Sequence, residues 1–341
     1  MQPVQRFPLD RDDFRLRARF RHGMRGVSDH ASLLVACSGG CDSMALLALC
    51  VREAPSRHWR LVIGHVDHAL RPDSSDDAAF VSASASALGL EARVTRLAAS
   101  PPAGVSIEGW ARAARRGALR AMAAASGATL TLLAHTEDDQ AETVLLNLLR
   151  GSGLYGLTAM RGAGSGFRRP LLRVARAELR AFASRHQLAW REDASNQDRR
   201  FLRNRVRLDL LPILARDFTP GAAKLLARTA RSLQPVRRHL ETEVRAAWEA
   251  LRVDRPCRGI RLERPQLASY DRAVIEGCLR LAVKRLRGSA RDLKQAHLGS
   301  LTDAVLVGRP ARFHLPHRIV ATVDSAAIHF ELGDEPRGAI G

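Results

Sequence analysis

Residues 32–43, Ser-Leu-Leu-Val-Ala-Cys-Ser-Gly-Gly-Cys-Asp-Ser, constrain the fold more than any other stretch of this chain. Ser32 to Cys37 is a short apolar run that reads as a buried strand. Ser38, Gly39, Gly40, Cys41, Asp42 and Ser43 follow as a loop, and an apolar helical pattern starts at once through Met44, Leu46, Leu47 and Leu49. Such a junction aims several backbone N–H groups and a helix N-terminus at one place, where phosphate is stabilised. Gly39 and Gly40 permit positive φ and close approach of the backbone to the anion. Asp42 stands where a carboxylate can hold a phosphate-bound Mg²⁺. The loop is not of the Walker type, which needs a lysine after its last glycine. The chain has only Lys224, Lys284 and Lys294.

Strand and helix signals alternate through the first half. Helical patterns are predicted at Met44–Arg52, Asp76–Leu88, Ile107–Ser126 and Asp138–Arg150, and strands at Leu61–Val66, Glu91–Leu97 and Thr129–Ala134. Ser100–Gly104 breaks the pattern. Strands separated by helices imply an α/β fold with a doubly wound parallel sheet. Ligands bind beyond the carboxyl ends of its strands, where Ser38–Ser43, His65–Arg71 and His135–Glu142 would emerge. Gly151–Gly156 matches the dinucleotide fingerprint literally but follows a helix, so that reading is rejected. Further helices are expected at Ala175–Leu188, Leu202–Leu214 and Pro220–Leu251. Strands are expected at Ala311–Leu315 and within Arg318–Leu332. The division reads as residues 1–217 and a smaller, mainly helical domain, 218–341, ending in short strands.

A hydrophobic content of 46% over 341 residues supports real cores and two domains. No uncharged apolar run reaches membrane-spanning length; Ala121–His135 is among the longest. Arg6, Asp10, Arg11, Asp12 and Asp13 offer no secretory apolar core, so a cytoplasmic location without membrane contact is expected. Five cysteines (37, 41, 50, 257, 278) form no Cys-x-x-Cys pair, which argues against a disulfide framework or a zinc ribbon. A net charge of +19 points to a polyanionic partner, with nucleic acid favoured. Codon bias explains arginine over lysine but not the excess of bases over acids.

Three constellations can carry chemistry. Asp138, Asp139 and Glu142 lie at a predicted helix start, at i, i+4 and i, i+3 spacings, and either pair can hold a metal or an ammonium. Ordinary capping is the plainer alternative. In His65-Val-Asp-His68 only His65 and Asp67 share a strand face, so a contact to a nucleotide is preferred to zinc. Arg199, Arg203 and Arg207 repeat at helical spacing and suit a phosphate backbone.

Ser38-Gly-Gly-x-Asp-Ser43 resembles the pyrophosphate loop of ATP pyrophosphatases, which release pyrophosphate and adenylate their substrates. Further segments agree in order and spacing with the tRNA(Ile)-lysidine synthetase family, which the chain resembles over residues 30–215. They are His65-Val-Asp-His-Ala-Leu-Arg71, Ile107-Glu-Gly-Trp-Ala-Arg112 and Ala134-His…Asp138-Asp-Gln-Ala-Glu-Thr143. Arg150–Leu157, Arg169-Pro-Leu-Leu172 and Glu192–Asn196…Arg203-Asn-Arg205 follow. The chain departs from the family at Arg116, where tyrosine is usual.

The resemblance implies an adenine nucleotide alpha hydrolase-like sheet and an enzyme that ligates free L-lysine to C2 of a wobble cytidine. The substrate implied is tRNA(Ile) with a CAU anticodon, and ATP gives AMP and pyrophosphate. By that analogy Ser38, Gly39, Gly40, Cys41, Asp42, Ser43, His65 and Arg112 bind ATP. Asp42 holds Mg²⁺, and Asp139 and Glu142 receive lysine. Asp42, Asp139 and Glu142 are the catalytic set, while Arg203, Arg205 and Arg207 meet tRNA, with Arg203 a candidate for the nucleotide as well. Residues 218–341 would contact tRNA, and a homodimer is left open. A thiolase on the same domain, an amidating ligase and a non-catalytic RNA-binding module are the alternatives.

Overall fold

The computed structural model describes residues 11–67, 74–97, 107–192, 197–254, 259–290 and 293–333. His68–Arg71, the Ser100–Gly104 break, Asp193–Asn196 and Cys257 lie outside them. Contacts divide the chain into two units, residues 1–146 with 159–230, and residues 147–158 with 231–341.

In the first unit, α1 (Arg11–Gly23) precedes β1 (Ser32–Ala36), α2 (Cys41–Arg57), β2 (Arg60–Asp67), α3 (Ser74–Ala87), β3 (Glu91–Arg96), α4 (Ile107–Ala125) and β4 (Leu130–Leu132). Helix α5 (Glu137–Leu149) and a short hairpin, β5 (Ala163–Gly164) with β6 (Phe167–Arg168), come next. The sheet order is β3-β2-β1-β4-β6-β5, parallel except for the pairing of β5 with β6. Chain order therefore reverses between β1 and β4, which opens a crevice at their carboxyl ends.

Alternation along the strands explains the two layers. Leu33 and Val35 of β1 pack with Leu46, Leu49, Val81 and Phe182, whereas Leu34 and Ala36 pack with Leu119 and Met122 of α4. The helices α2 and α3 therefore cover one face and α4 the other.

Two buried acids tie down α1, an element that the sequence reading did not foresee. Glu53 of α2 accepts from Arg17 and, at 2.7 Å, from Arg21. Asp13 accepts from Arg185 at 2.8 Å and from His186 at 2.9 Å, at the end of α6 (Arg176–Arg185). Burial alone would raise the Asp13 carboxyl, but those two hydrogen bonds hold it lowered. Helix α7 starts as Leu202–Arg205 and runs on through π-helical turns at Val206–Leu210 and Leu214–Phe218. Arg199 precedes it and pairs with Asp209 at 3.2 Å. The expected single face of Arg199, Arg203 and Arg207 is thus reduced to the last two.

The second unit takes the later turns of α8 (Ala222–Leu251). Its antiparallel sheet runs β7 (Arg252–Asp254), β8 (Gly259–Glu263), β11 (Ala327–Leu332), β10 (Ile319–Val323) and β9 (Ala311–Leu315). Helices α9 (Arg272–Arg287) and α10 (Gln295–Val307) share a core with it, including Trp248, Ile275, Leu279, Leu298, Ile319 and Phe330. A Cβ on Gly277 would stand 2.2 Å from Val244, so only glycine allows α9 to lie this close to α8. The β10–β11 turn is held by Asp324 Oδ1, which accepts from the N–H of Ala326 at 2.8 Å and of Ala327 at 2.7 Å. Gly151–Gly156 leaves a helix, not a strand, and Asn147 Nδ2 donates to the Gly156 carbonyl at 2.8 Å.

Candidate active site

At the crevice, Gly39 holds a φ of +84°, which a side chain would strain. Gly40 caps α2 without any side-chain hydrogen bond; the N–H groups of Ser43 and Met44 donate to its carbonyl at 3.0 Å, which leaves those of Cys41 and Asp42 for a ligand. Ser43 is turned back on the loop. Its Oγ donates to the Gly40 carbonyl at 2.8 Å and accepts from the Ser38 N–H at 3.2 Å. The Arg191 N–H donates to the Gly39 carbonyl at 2.9 Å and fixes the other side. Asp42 Oδ2 meets Arg176 Nε at 3.2 Å, while Oδ1 is buried with no partner among the described residues. Burial pushes the Asp42 carboxyl up to about 6, Arg176 opposing and Asp139 adding to the shift.

Across the strand-order reversal, β4 leads into α5 through a reciprocal cap. The Thr136 N–H and Oγ1 donate to Asp139 Oδ2 at 2.8 and 3.0 Å, and the Asp139 N–H donates back to Thr136 Oγ1 at 3.3 Å. Asp139 Oδ1 takes Arg176 Nη2 and Arg203 Nη2, each at 3.0 Å. Glu142 has 0% exposure and accepts from Arg207 Nε at 2.6 Å, Arg203 Nε at 2.7 Å and Arg176 Nη1 at 3.4 Å. Burial alone would raise the Asp139 carboxyl. Arg176 and Arg203 overcome it and hold the group ionised, well below the usual carboxylate range. Arg176 is the hub: its guanidinium reaches Asp42, Asp139 and Glu142, and its N–H donates to Asp138 Oδ2 at 2.7 Å. Loop and clamp line one cleft of about 1080 Å³ together with His65, Arg112, His135 and Arg169.

Residues 13–214 match the family model of the PP-loop domain, ATP_bind_3. The tRNA(Ile)-lysidine synthase of Gloeobacter violaceus is 40% identical over 244 residues, covering 70% of this chain and 74% of that protein. The chain belongs to the tRNA(Ile)-lysidine synthase family of PP-loop proteins. The Geobacter sulfurreducens synthase is 37% identical over 308 residues, 88% of this chain and 64% of that protein. The Ralstonia nicotianae synthase is 46% identical over 207 residues, 59% of this chain and 44% of that protein. The chain thus spans from under half to about three quarters of the length of these relatives. Among solved structures, the U34-tRNA thiolase NcsA from Methanococcus maripaludis aligns with a TM-score of 0.57 over 65% of this chain and 78% of that chain. Its identity is 16%, so the likeness is one of fold. The sheet is that of the adenine nucleotide alpha hydrolases.

Within that family fold, Ser38, Gly40–Ser43, His65, Arg112, Asp139, Arg203 and Arg207 converge on the cleft, with Gly39 shaping the loop behind them and Glu142 sealed beneath the arginines. His65 is buried, and its Nδ1 donates to the Cys37 carbonyl at 2.9 Å. Of the two acid pairings the spacing allowed, Asp139 with Glu142 faces the arginines, while Asp138 caps α6. Arg203 and Arg207 turn inward onto acids, whereas Arg205 is exposed. Burial, then the charge of Asp42, pushes the Cys41 thiol up to about 11, so it stays protonated at neutral pH. Sequence reasoning missed Arg176. Its carboxylate partners stand 34, 37 and 134 positions away, and no local spacing announces it. Among the described residues no helix is long and apolar enough to cross a membrane.

Proposed function

We propose that this protein joins free L-lysine to C2 of the wobble cytidine in the CAU anticodon of tRNA(Ile), turning ATP into AMP and pyrophosphate. The observation that carries the reading is an uncapped glycine loop at the strand-order reversal, beside a cleft large enough for a nucleotide and a base. The activity stated by the names of the 37–40% identical relatives supports the substrate assignment.

The loop N–H groups hold the ATP phosphates, and His65 and Arg112 flank the nucleotide. The unpartnered, buried Oδ1 of Asp42 suits a cation that takes its other ligands from phosphate oxygens. When bound, Mg²⁺ supplies charge neutralisation at the phosphates. The cytidine O2 attacks the α-phosphorus; an O–P bond forms and the bridge to the β-phosphorus breaks, releasing pyrophosphate. The lysine ε-amine then attacks C2, AMP leaves, and the nitrogen loses its protons to solvent. The base must leave its stack to reach the cleft.

Asp139 stays ionised, which fits it, with Glu142 beside it, to hold an ammonium rather than to accept a proton. Arg203 and Arg207 already occupy those carboxylates, so lysine enters by competing with them. Arg205, exposed, is free to meet the tRNA backbone. Residues 1–217 carry this chemistry and residues 218–341 contact the tRNA.

Labelled lysine, ATP and mixed tRNA with purified protein test the reading. Incorporation into an isoleucine tRNA, with AMP and pyrophosphate in equal amount, is expected. Production of ADP and orthophosphate overturns it.

A further inference from the structure

A second set of cations faces the same cleft and takes no part in the carboxylate clamp. Arg115 and Arg116 come from α4, and Arg169 follows β6. The backbone seats Arg169 firmly: its N–H donates to the Gly162 carbonyl at 2.7 Å, and the Arg168 carbonyl accepts from the Leu133 N–H at 2.8 Å. Arg169 therefore lies beside the end of β4, next to His135. It is 8% exposed, and Nη1 donates to the Arg161 carbonyl at 3.0 Å. Its Nε is buried and has no acceptor among the described residues. Phe167, two positions earlier, lies under the Arg116 guanidinium at 4.7 Å from its centroid and under Arg120 at 5.3 Å. Cation–π stacking thus fixes where the Arg116 charge stands.

Neither Arg115 nor Arg169 pairs with a carboxylate among the described residues, although a buried guanidinium is costly unless an anion answers it. Burial, with Arg116 and Arg112 nearby, pulls the Arg169 guanidinium down to about 10. Burial also lowers Arg115, with Arg203 adding to the shift and Asp139 opposing it. His135, its Nδ1 unpartnered, is held neutral by burial and by the guanidiniums of Arg169, Arg115 and Arg203, against the pull of Asp139. Arg115 and Arg169 thus place two guanidiniums at this wall without a paired carboxylate among the described residues.

We propose that Arg115, Arg116 and Arg169 form a second phosphate site, built from elements other than the Ser38–Ser43 loop. The inference rests on the proposed function only for the source of the phosphate, which is either an RNA phosphodiester beside the presented base or a phosphate of the nucleotide. Three guanidiniums at one wall suit either through forked N–H pairs.

The test measures affinity for a tRNA(Ile) transcript with the CAU anticodon against salt, and separately the affinity for ATP, in wild type, Arg115→Gln, Arg169→Gln and Arg169→Lys. For an RNA phosphate, each Gln variant lowers the log–log salt slope by about 0.7–0.9, and Arg169→Lys restores it. For a nucleotide phosphate, ATP affinity falls about tenfold and the RNA slope stays. Unchanged RNA slope and unchanged ATP affinity in both Gln variants overturn the site. The Arg115 side chain makes no hydrogen bond among the described residues, so its variant carries the test if Arg169→Gln fails to fold. A wild type that transfers lysine while both Gln variants match it sinks this inference alone. A wild type that binds no tRNA and transfers no lysine sinks the proposed function instead. In that case the site is read from inorganic phosphate, which should raise the melting temperature of wild type more than that of Arg115→Gln. Equal shifts in the two proteins overturn the site there as well.

Discussion

Helices α2 and α5 both begin at the carboxyl end of a central parallel strand, yet their first turns are built in opposite ways. Gly40 leaves the start of α2 without a side-chain cap, and Asp42 keeps one oxygen unanswered. Thr136 and Asp139 close the start of α5 reciprocally, and three arginines answer every oxygen of Glu142. A helix N-terminus attracts an anion only while its donors stay unspent. The same local plan therefore yields a phosphate cradle on one side of the reversal and a saturated ion cluster on the other. The cradle can take a ligand directly, whereas the cluster must exchange a partner to accept one.

The sharpest way to break this contrast is Asp42→Asn. Lysine transfer should fall about 10³-fold, since charge stabilisation at the phosphates is lost, while the Kd for tRNA should stay within about twofold. Activity within tenfold of wild type would remove Asp42 from its role.

Glu142→Ala strikes the saturated side and leaves Arg176, Arg203 and Arg207 short of a counter-charge in a buried place. We expect about 3 kcal/mol of destabilisation in urea unfolding, and a raised KM for lysine in whatever protein folds. A stability loss under about 1 kcal/mol would mean that the cluster is loosely held.

The pH dependence of Asp42 works in the other direction. Its folded value near 6 exceeds the ordinary 3.8, so the stability it contributes is full below pH 4 and is lost as pH rises through 6. Asn cannot ionise. Free of ligand at pH 8, Asp42→Asn should therefore be the more stable protein by about 2 kcal/mol, after allowance for partial solvent screening. The difference should vanish near pH 4, and a pH-independent difference would contradict the burial assigned to this carboxyl. Thermal unfolding across that range checks it.

The smallest effect is local. Gly39→Ala forces a side chain onto a φ of +84° and should cost about 1 kcal/mol, with a several-fold rise in KM for ATP and none for lysine. An equal rise for both substrates would blur the distinction between cradle and cluster.

Much of this arrangement was legible from residue order. The apolar run, glycine loop and helical pattern at residues 32–49 are local signals, and they correspond to β1, the loop and α2. The alternation of strands and helices gave the parallel sheet because each element carries its own period. The short hairpin of β5 and β6, with two residues per strand, carries no period to detect. Helix α1 is highly charged, and it is held by Asp13 and Glu53 pairing with residues remote in sequence. Arg176 escaped notice, and Arg169 entered only as part of a matching segment with no role, for the same reason: nothing within ten residues separates a hub or a buried cation from a solvated arginine. The repeat of Arg199, Arg203 and Arg207 misled in part, because the helix begins only at Leu202.

The ties of α1 reach further than their position suggests. Through Glu53 this helix grips α2, the helix that opens at the loop, and through Asp13 it grips α6, whose first residue is Arg176. It works as a splint across two otherwise separate supports of the cleft. A trimmed fragment that discarded residues 11–23 would strand Glu53 in the interior, take from Arg185 and His186 the carboxylate they share, and slacken both supports together, however completely it retained the sheet and its loop.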